Sequence, residues 1–290
     1  MTVKNRQARS SVPPARAAAP VWDIAVPSRP GRMAGLRMAG FSDRAKDLVD
    51  LQVVPYPAVT IFIDLGDEIR VDHARGQQQR GSLAIGLAPS GVRARGRGVE
   101  CLQVRLSPVT AHAVLGASAE LGQTVAALGD LWGRDAMRTQ EQLRAARSWD
   151  ERFAIAEAAL ARRHQARRAA DPEVAFAWRQ MVASQGRVRV EQLAAEAGWS
   201  RKRLWSRFRS QIGVTPKRAA QLIRFDHAAH RLAAGHSAAL VAAEGGYTDQ
   251  SHLHRDVKAF AGVTPAAVAA EPWLAVDDIA WATPQHVPRT

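Results

Sequence analysis

The stretch GWSRKRLWSRFRSQIGVTP at 198–216 decides the reading of this chain, because it returns as GYTDQSHLHRDVKAFAGVTP at 246–265. Leu204, Phe208, Gly213, Thr215 and Pro216 recur as Leu253, Val257, Gly262, Thr264 and Pro265, each 49 positions on, while Gly198-Trp199 recurs as Gly246-Tyr247 at an offset of 48. A pattern repeated over this length marks a repeated structural unit, with one residue inserted ahead of the second helix in the later copy. In each copy a glycine able to reverse the chain ends a short helix. An aromatic then fills the space between two helices, and a hydroxyl residue (Ser200 or Thr248) is suited to cap the next. That is the order of parts in a helix-turn-helix. Leu204 and Phe208 turn inward against Leu193, Ala194 and Ala197, and Leu253 and Val257 against Val241 and Ala242. The opposite face of each second helix is then offered to solvent or to a ligand.

The first of those faces is strongly basic, with Arg201, Lys202, Arg203, Arg207 and Arg209 and no acid across 200–210. Charge alone also describes an ordinary solvated helix face. Position adds information: Lys202, Trp205, Ser206 and Arg209 fall on successive turns. A helix lying in a major groove about 12 Å wide would present them to base edges, with Arg201, Arg203 and Arg207 flanking as phosphate contacts. The second face balances Arg255 and Lys258 with Asp249 and Asp256. Its outward Gln250, Ser251, His254 and Arg255 are still hydrogen-bonding types that read bases, Gln suiting adenine and Arg guanine. Between the copies, Leu222, Phe225, Ala229 and Leu232 share one face of a helix over 216–234. That helix can hold the two units about 34 Å apart, one turn of the duplex.

The rest of the chain fits this picture. Its 290 residues allow two domains, and 40 Lys and Arg against 27 Asp and Glu favour a polyanionic partner, either nucleic acid or an anionic membrane surface. Residues 173–270 carry fourteen Lys and Arg against seven Asp and Glu, so the basic footprint coincides with the repeat. The most apolar stretch, AVTIFIDLG at 58–66, falls far short of the roughly 20 residues a membrane span needs. The single cysteine, Cys101, excludes an intramolecular disulfide framework and any structural zinc site built on several cysteines, and suits a reducing, cytoplasmic address.

Four regions follow from composition. Residues 1–40, rich in Pro, Ala and Arg, read as a disordered basic arm, not a signal peptide, because Pro20, Asp23, Pro27 and Pro30 break any apolar run. Residues 41–165 read as an α+β domain: short β-rich runs over 50–106, then helical spacing over Pro108–Gly133 and Trp149–His164. A charged junction at 162–173, broken by Pro172, leads to an all-α domain over 172–270. Its predicted helices are 172–184, 190–197, 200–212, 216–234, 237–245 and 249–260. Residues 271–290 read as a Pro-punctuated tail.

The quoted repeat resembles the paired helix-turn-helix domain of the AraC family of bacterial transcription regulators, most specifically through G-aromatic-x-D-Q-S-H-L-x-R followed by G-x-T-P. Val257 stands where that family usually has Phe. The resemblance implies seven helices in the domain, a recognition helix in each copy, and double-stranded DNA as partner. Lys202, Trp205, Ser206, Gln250, Ser251, His254 and Arg255 are the DNA-contacting positions it implies. It further implies an N-terminal domain that senses a small-molecule effector or mediates homodimerisation, with RNA polymerase as partner if the protein is an activator. The run VVPYPAVTIFIDLGD is similar to the cupin-like sensor domains of that family. For dimerisation, the apolar residues of 114–132 are one candidate surface, and packing on their own sheet is the alternative.

Two rival classes remain open at this stage. A DNA-repair alkyltransferase would use Cys101, but VECLQVRLS lacks the Pro-Cys-His surroundings of such nucleophiles, so no enzyme is expected. A nonspecific architectural protein would hold DNA by charge alone. The pairs His252/His254 and His227/His230 lack a third ligand at a completing spacing, so neither metal nor cofactor is expected.

Overall fold

Strand β9 (Glu100–Leu106) shows why the N-terminal half folds as it does. Its residues alternate between two buried environments: Cys101 faces a core with Phe41, Phe62, Leu83 and Val99, whereas Leu102, Val104 and Leu106 face a second core shared with helices. The computed structural model describes residues 22–29, 31–44, 48–66, 69–72, 78–87, 92–116, 118–270 and 272–281. In it, β9 lies within an antiparallel sheet that also holds β1 (Trp22–Ala25), β2 (Leu36–Asp43), β4 (Val59–Asp64), β7 (Leu83–Ile85) and β10 (Val125–Ala127), in the order β1-β2-β9-β4-β7-β10. A second sheet, β3 (Leu48–Gln52), β8 (Arg93–Arg97), β5 (Arg70–Asp72) and β6 (Gln78–Arg80) in the order β3-β8-β5-β6, covers one face of the first. Helices cover the other. All six residues of β4 are therefore buried, the apolar Val59, Ile61, Phe62 and Ile63 together with Thr60 and Asp64.

Three expectations for this half are corrected. The arm expected over 1–40 is ordered from Trp22. β1 pairs with β2 in the register Trp22↔Asp43, and the Trp22 ring meets the Phe41 ring edge-on at 6.1 Å. Proline-rich composition hid a four-residue edge strand, a place where flanking prolines cost no ladder bonds. Residues 1–21 lie outside the described residues. The continuous helical run expected over Pro108–Gly133 is instead α1 (Pro108–Leu115), α2 (Ser118–Leu121), β10 and α3 (Leu128–Trp132). Gly116 takes φ 70° and ends α1, and Val125 pairs with Ile85. Val114, Leu115, Leu121, Val125 and Leu128 are spent in the chain's own cores, which corrects the candidate dimer stripe. A helix the spacing did not predict, α4 (Arg134–Ala145), precedes α5 (Trp149–Gln165).

The C-terminal half contains α6 (Pro172–Ala183), α7 (Val190–Glu196), α8 (Arg201–Ile212), α9 (Pro216–Ala233), α10 (Ala238–Glu244), α11 (Gln250–Ala261) and α12 (Pro265–Ala269). These are seven helices, close to the predicted bounds. The stack of Phe225 on Phe260 at 5.1 Å ties α9 to α11, and Trp178 meets Phe208 at 6.5 Å between α6 and α8. The charged junction at 162–173 is no break in packing. α1 and α2 lie against α8, and one hydrophobic core runs from Val104 and Val114 through to Leu204 and Phe260. Gly122 sits so close to the end of α8 that a Cβ there would run into the carbonyl of Gly213.

The tail expected over 271–290 is also corrected. α13 (Pro272–Ala280) folds back onto the sandwich, and Ala280 and Trp281 are buried in the inter-sheet core beside Phe41. Residues 282–290 lie outside the described residues.

Candidate nucleic-acid interface

In the first helix-turn-helix, Gly198 takes φ 66° after α7, and the Ser200 hydroxyl accepts the Arg203 N–H at 3.2 Å to start α8. Leu193 and Ala194 of α7 are buried against Leu204 and Phe208. Trp199 fills the corner only partly, with the Arg203 guanidinium 4.5 Å above its ring. Of α8, only Leu204, Phe208, Gln211 and Ile212 are buried. Arg201, Lys202, Arg203, Trp205, Ser206, Arg207 and Arg209 are all exposed, and Trp205 leaves 43% of its surface open with Arg209 stacked over it at 5.3 Å. A Trp that open is unusual for an indole, whose apolar area normally seeks cover.

The second unit repeats the plan with one correction. Gly246 takes φ 74°, Tyr247 is buried, and Asp249, not Thr248, caps α11 by accepting the His252 N–H at 2.7 Å. Thr248 is the inserted residue, and its N–H points to His252 Nδ1 at 3.4 Å. Leu253, Asp256, Val257, Phe260 and Ala261 are buried, while Gln250, Ser251, His254 and Arg255 are exposed. Asp256 points inward to Arg224 of α9, at 3.1 Å, and the same Arg224 lies 4.7 Å over the Tyr247 ring. The two acids expected to offset Arg255 and Lys258 are thus occupied, one in a cap and one in the core. Asp249 stays exposed at the cap, so only Asp256 is withdrawn from the outward face of α11.

All eleven expected contact residues therefore face solvent on two surface helices, but not all are equally free. Arg207 is turned to the domain junction, where it pairs with Asp171 and holds that carboxyl below the usual carboxylate range. Arg201 reaches Glu191 at 3.1 Å. Sequence spacing missed two cations. Arg189 at the start of α7 and Lys217 at the start of α9 line the same hollow as Arg201, Lys202 and Trp205. They lie on other helices, so only tertiary packing brings them together.

The rival chemistry is not supported by its residues. Cys101 is buried, and burial with the nearby Asp64 charge pushes its thiol up, away from the thiolate a nucleophile needs. His252 is half-buried beside Tyr247, and His230 is engaged by Asp226 and Asp277. Among the described residues no three His, Cys, Asp or Glu side chains gather as a metal donor set, and no helix is long and apolar enough to cross a membrane.

Residues 193–271 match the sequence family described as a helix-turn-helix domain. The chain is similar in structure to ToxT from Vibrio cholerae O395, at 11% identity over 82% of this chain and 98% of that one, with a TM-score of 0.47. It is also similar to the C-terminal domain of AraT, a response regulator from Geobacillus stearothermophilus, at 22% identity over 34% and 85% of the two chains and a TM-score of 0.33. The AraC-like transcriptional activator CuxR is 17% identical over 81% of this chain and 91% of its own, with a TM-score of 0.27. No curated protein sequence matches the chain. Over 193–271 this chain carries a helix-turn-helix domain.

Proposed function

We propose that the protein reads specific DNA sequences by laying α8 and α11 in successive major grooves on one side of the duplex, and that its sandwich domain senses a small molecule. The observation that carries the first part is the shared geometry of the two units. Each buries its Leu and the residue four positions on, turns every expected contact residue to solvent, and packs on α9. The 18 residues of α9 span about 27 Å at 1.5 Å each, a spacing suited to the roughly 34 Å turn of B-DNA. Lys202, Trp205, Ser206 and Arg209 would meet bases from α8, and Gln250, Ser251, His254 and Arg255 from α11. Arg201, Arg203, Arg189 and Lys217 would hold phosphates.

The second part rests on a largely apolar hollow between the two halves. The sandwich lines it with Val53, Phe62 and Arg105, and the C-terminal half with Asp226 and Leu274. Whatever fills it touches both the sandwich and α9. Genome-wide mapping of bound sites tests the reading: a shared motif near promoters is expected, whereas featureless coverage that tracks only DNA abundance would support an architectural protein.

A further inference from the structure

In the second sheet, Val49, Leu51, Val71 and Ala94 turn inward to the core between the sheets. Alternation along each strand then turns Arg93, Arg95 and Arg97 of β8, Arg70 of β5 and Arg80 of β6 outward, where all five are exposed. The register sets Arg95, Arg70 and Arg80 side by side in one rank across three strands. With neighbouring strands about 4.8 Å apart, the three stems start within about 10 Å of one another. Like charges placed directly opposite destabilise a sheet. The two acids on this face serve β8 instead of relieving the whole rank. Asp50 accepts from Arg93 Nε and Nη2 at 3.0 and 2.9 Å and lies 3.3 Å from Arg95, while Asp72 accepts from Gln78 at 3.0 Å and reaches Arg95 at 3.5 Å. Arg70, Arg80 and Arg97 form no ion pair among the described residues. Departures of this kind from the pairing rules cluster at functional sites.

What else the face carries selects the anion. The four strands hold no aromatic residue, and Leu48, 62% exposed beside Arg97, is the one large exposed hydrophobic on them. The face thus lacks the apolar anchors of a protein hot spot or a membrane-seated surface, and the rings on which single strands stack. Guanidinium forks without such anchors suit the phosphates of a duplex. The second sheet also lies across the first from α1 and α2, the helices that pack on α8. A duplex held by α8 therefore leaves this face open.

We propose that the arginine face of the sandwich holds the phosphate backbone of a second duplex segment, so that one chain bridges two stretches of DNA. Only phosphates meet the guanidinium groups, and this contact is independent of base sequence. The bridge rests on the DNA reading proposed above, which supplies the first duplex.

The test uses the full chain in three forms: wild type, a sheet variant (Arg70→Gln, Arg80→Gln and Arg97→Gln) and a helix variant (Lys202→Ala with Arg203→Ala). One random-sequence duplex is tethered to beads, and a second, labelled duplex is offered in solution at about 50 mM salt. Wild type is expected to capture the second duplex, and capture should weaken with salt at a slope of about three counterions, one for each free arginine. The sheet variant should bind the tethered duplex within about two-fold of wild type and capture the second about ten-fold less. It should melt no lower than wild type, because the like-charged rank is gone. Absence of capture by wild type overturns the proposal, as does capture that persists in the sheet variant, the result a dimer carrying two helix pairs would give. An equal loss of both duplexes would put the arginines on the duplex of α8 and also overturn it. Phosphatidylserine vesicles or poly-glutamate released by the sheet variant, with capture of DNA intact, would give the face to a membrane or an acidic protein. Weaker binding of the tethered duplex by the helix variant sustains the α8 reading even if capture fails, so the two claims fail separately.

Discussion

Arg207, on the exposed side of α8, grips Asp171 at the start of α6 through two parallel bonds, Nε at 2.7 Å and Nη2 at 2.9 Å. The Asp171 N–H donates in turn to Gln211 Oε1 at 2.8 Å, so the junction between the two halves is clipped to α8 at two points one turn apart. Arg207 is therefore a cation the fold has already spoken for, unlike its neighbours Arg203 and Lys202. Asp171→Asn releases it. If Arg207 can then reach phosphate, affinity for nonspecific DNA rises about two- to five-fold at low salt, and the salt slope steepens by about one counterion. Titration of labelled duplex at several salt concentrations reads this. An unchanged slope would make Arg207 a junction strut alone.

The cap of α11 separates two residues that sequence alone confuses. Asp249 accepts the His252 N–H, and Thr248 does not cap. Asp249→Ala should cost about 1 kcal/mol of stability and Thr248→Ala a few tenths at most. Chemical denaturation of both variants decides it, and a larger loss in Thr248→Ala would return the cap to the hydroxyl.

Gly122 abuts the Gly213 carbonyl at the end of α8 and lends its own carbonyl to the Leu87 N–H at 2.9 Å, just past β7. This close backbone approach is one of the places where the N-terminal half packs against α8. Gly122→Ala should destabilise by about 1–3 kcal/mol, as overpacking does elsewhere. A melting temperature equal to wild type would mean the two halves slide apart at no cost.

His230 faces Asp226 on its own helix and Asp277 on α13, with Arg105 beyond. The bond to Asp277 and the attraction of Asp226 outweigh its burial and raise its pKa to about 9. Because the folded value lies above the unfolded one, the stabilisation is complete below about pH 6.5 and is lost as pH rises through about 9. Thermal melts of the full chain should fall over that window, and His230→Gln, which does not titrate, should fall less. Parallel curves for the two would remove His230 from the account.

Much of the helix-turn-helix half was legible because its signal is local and doubled. Leu204 and Leu253, each with its i+4 partner, fix the inward face twice over, and the glycine turns fix where each helix begins. The residues that join the halves left no such trace. Arg105 reads as an ordinary strand residue until Asp277 arrives from 172 positions away. β1 and β10 are four and three residues long, too short to show a period, and Val125 mimics helical spacing while pairing as a strand. Asp256 counts as surface charge in the sequence, and only the fold turns it inward to Arg224. Long-range pairing, edge strands and the direction a charge points are set by tertiary packing, which spacing does not encode.

The central claim is that two recognition helices read two blocks of sequence. Selection of bound duplexes from a random pool by the full chain, in excess competitor and at fixed salt, tests it most directly when repeated with Trp205→Ala and Arg255→Ala. The account predicts two conserved blocks about one helical turn apart, with each variant relaxing one block by about 1–3 kcal/mol and leaving the other intact. A single block, or an equal loss at all positions from either substitution, would contradict it.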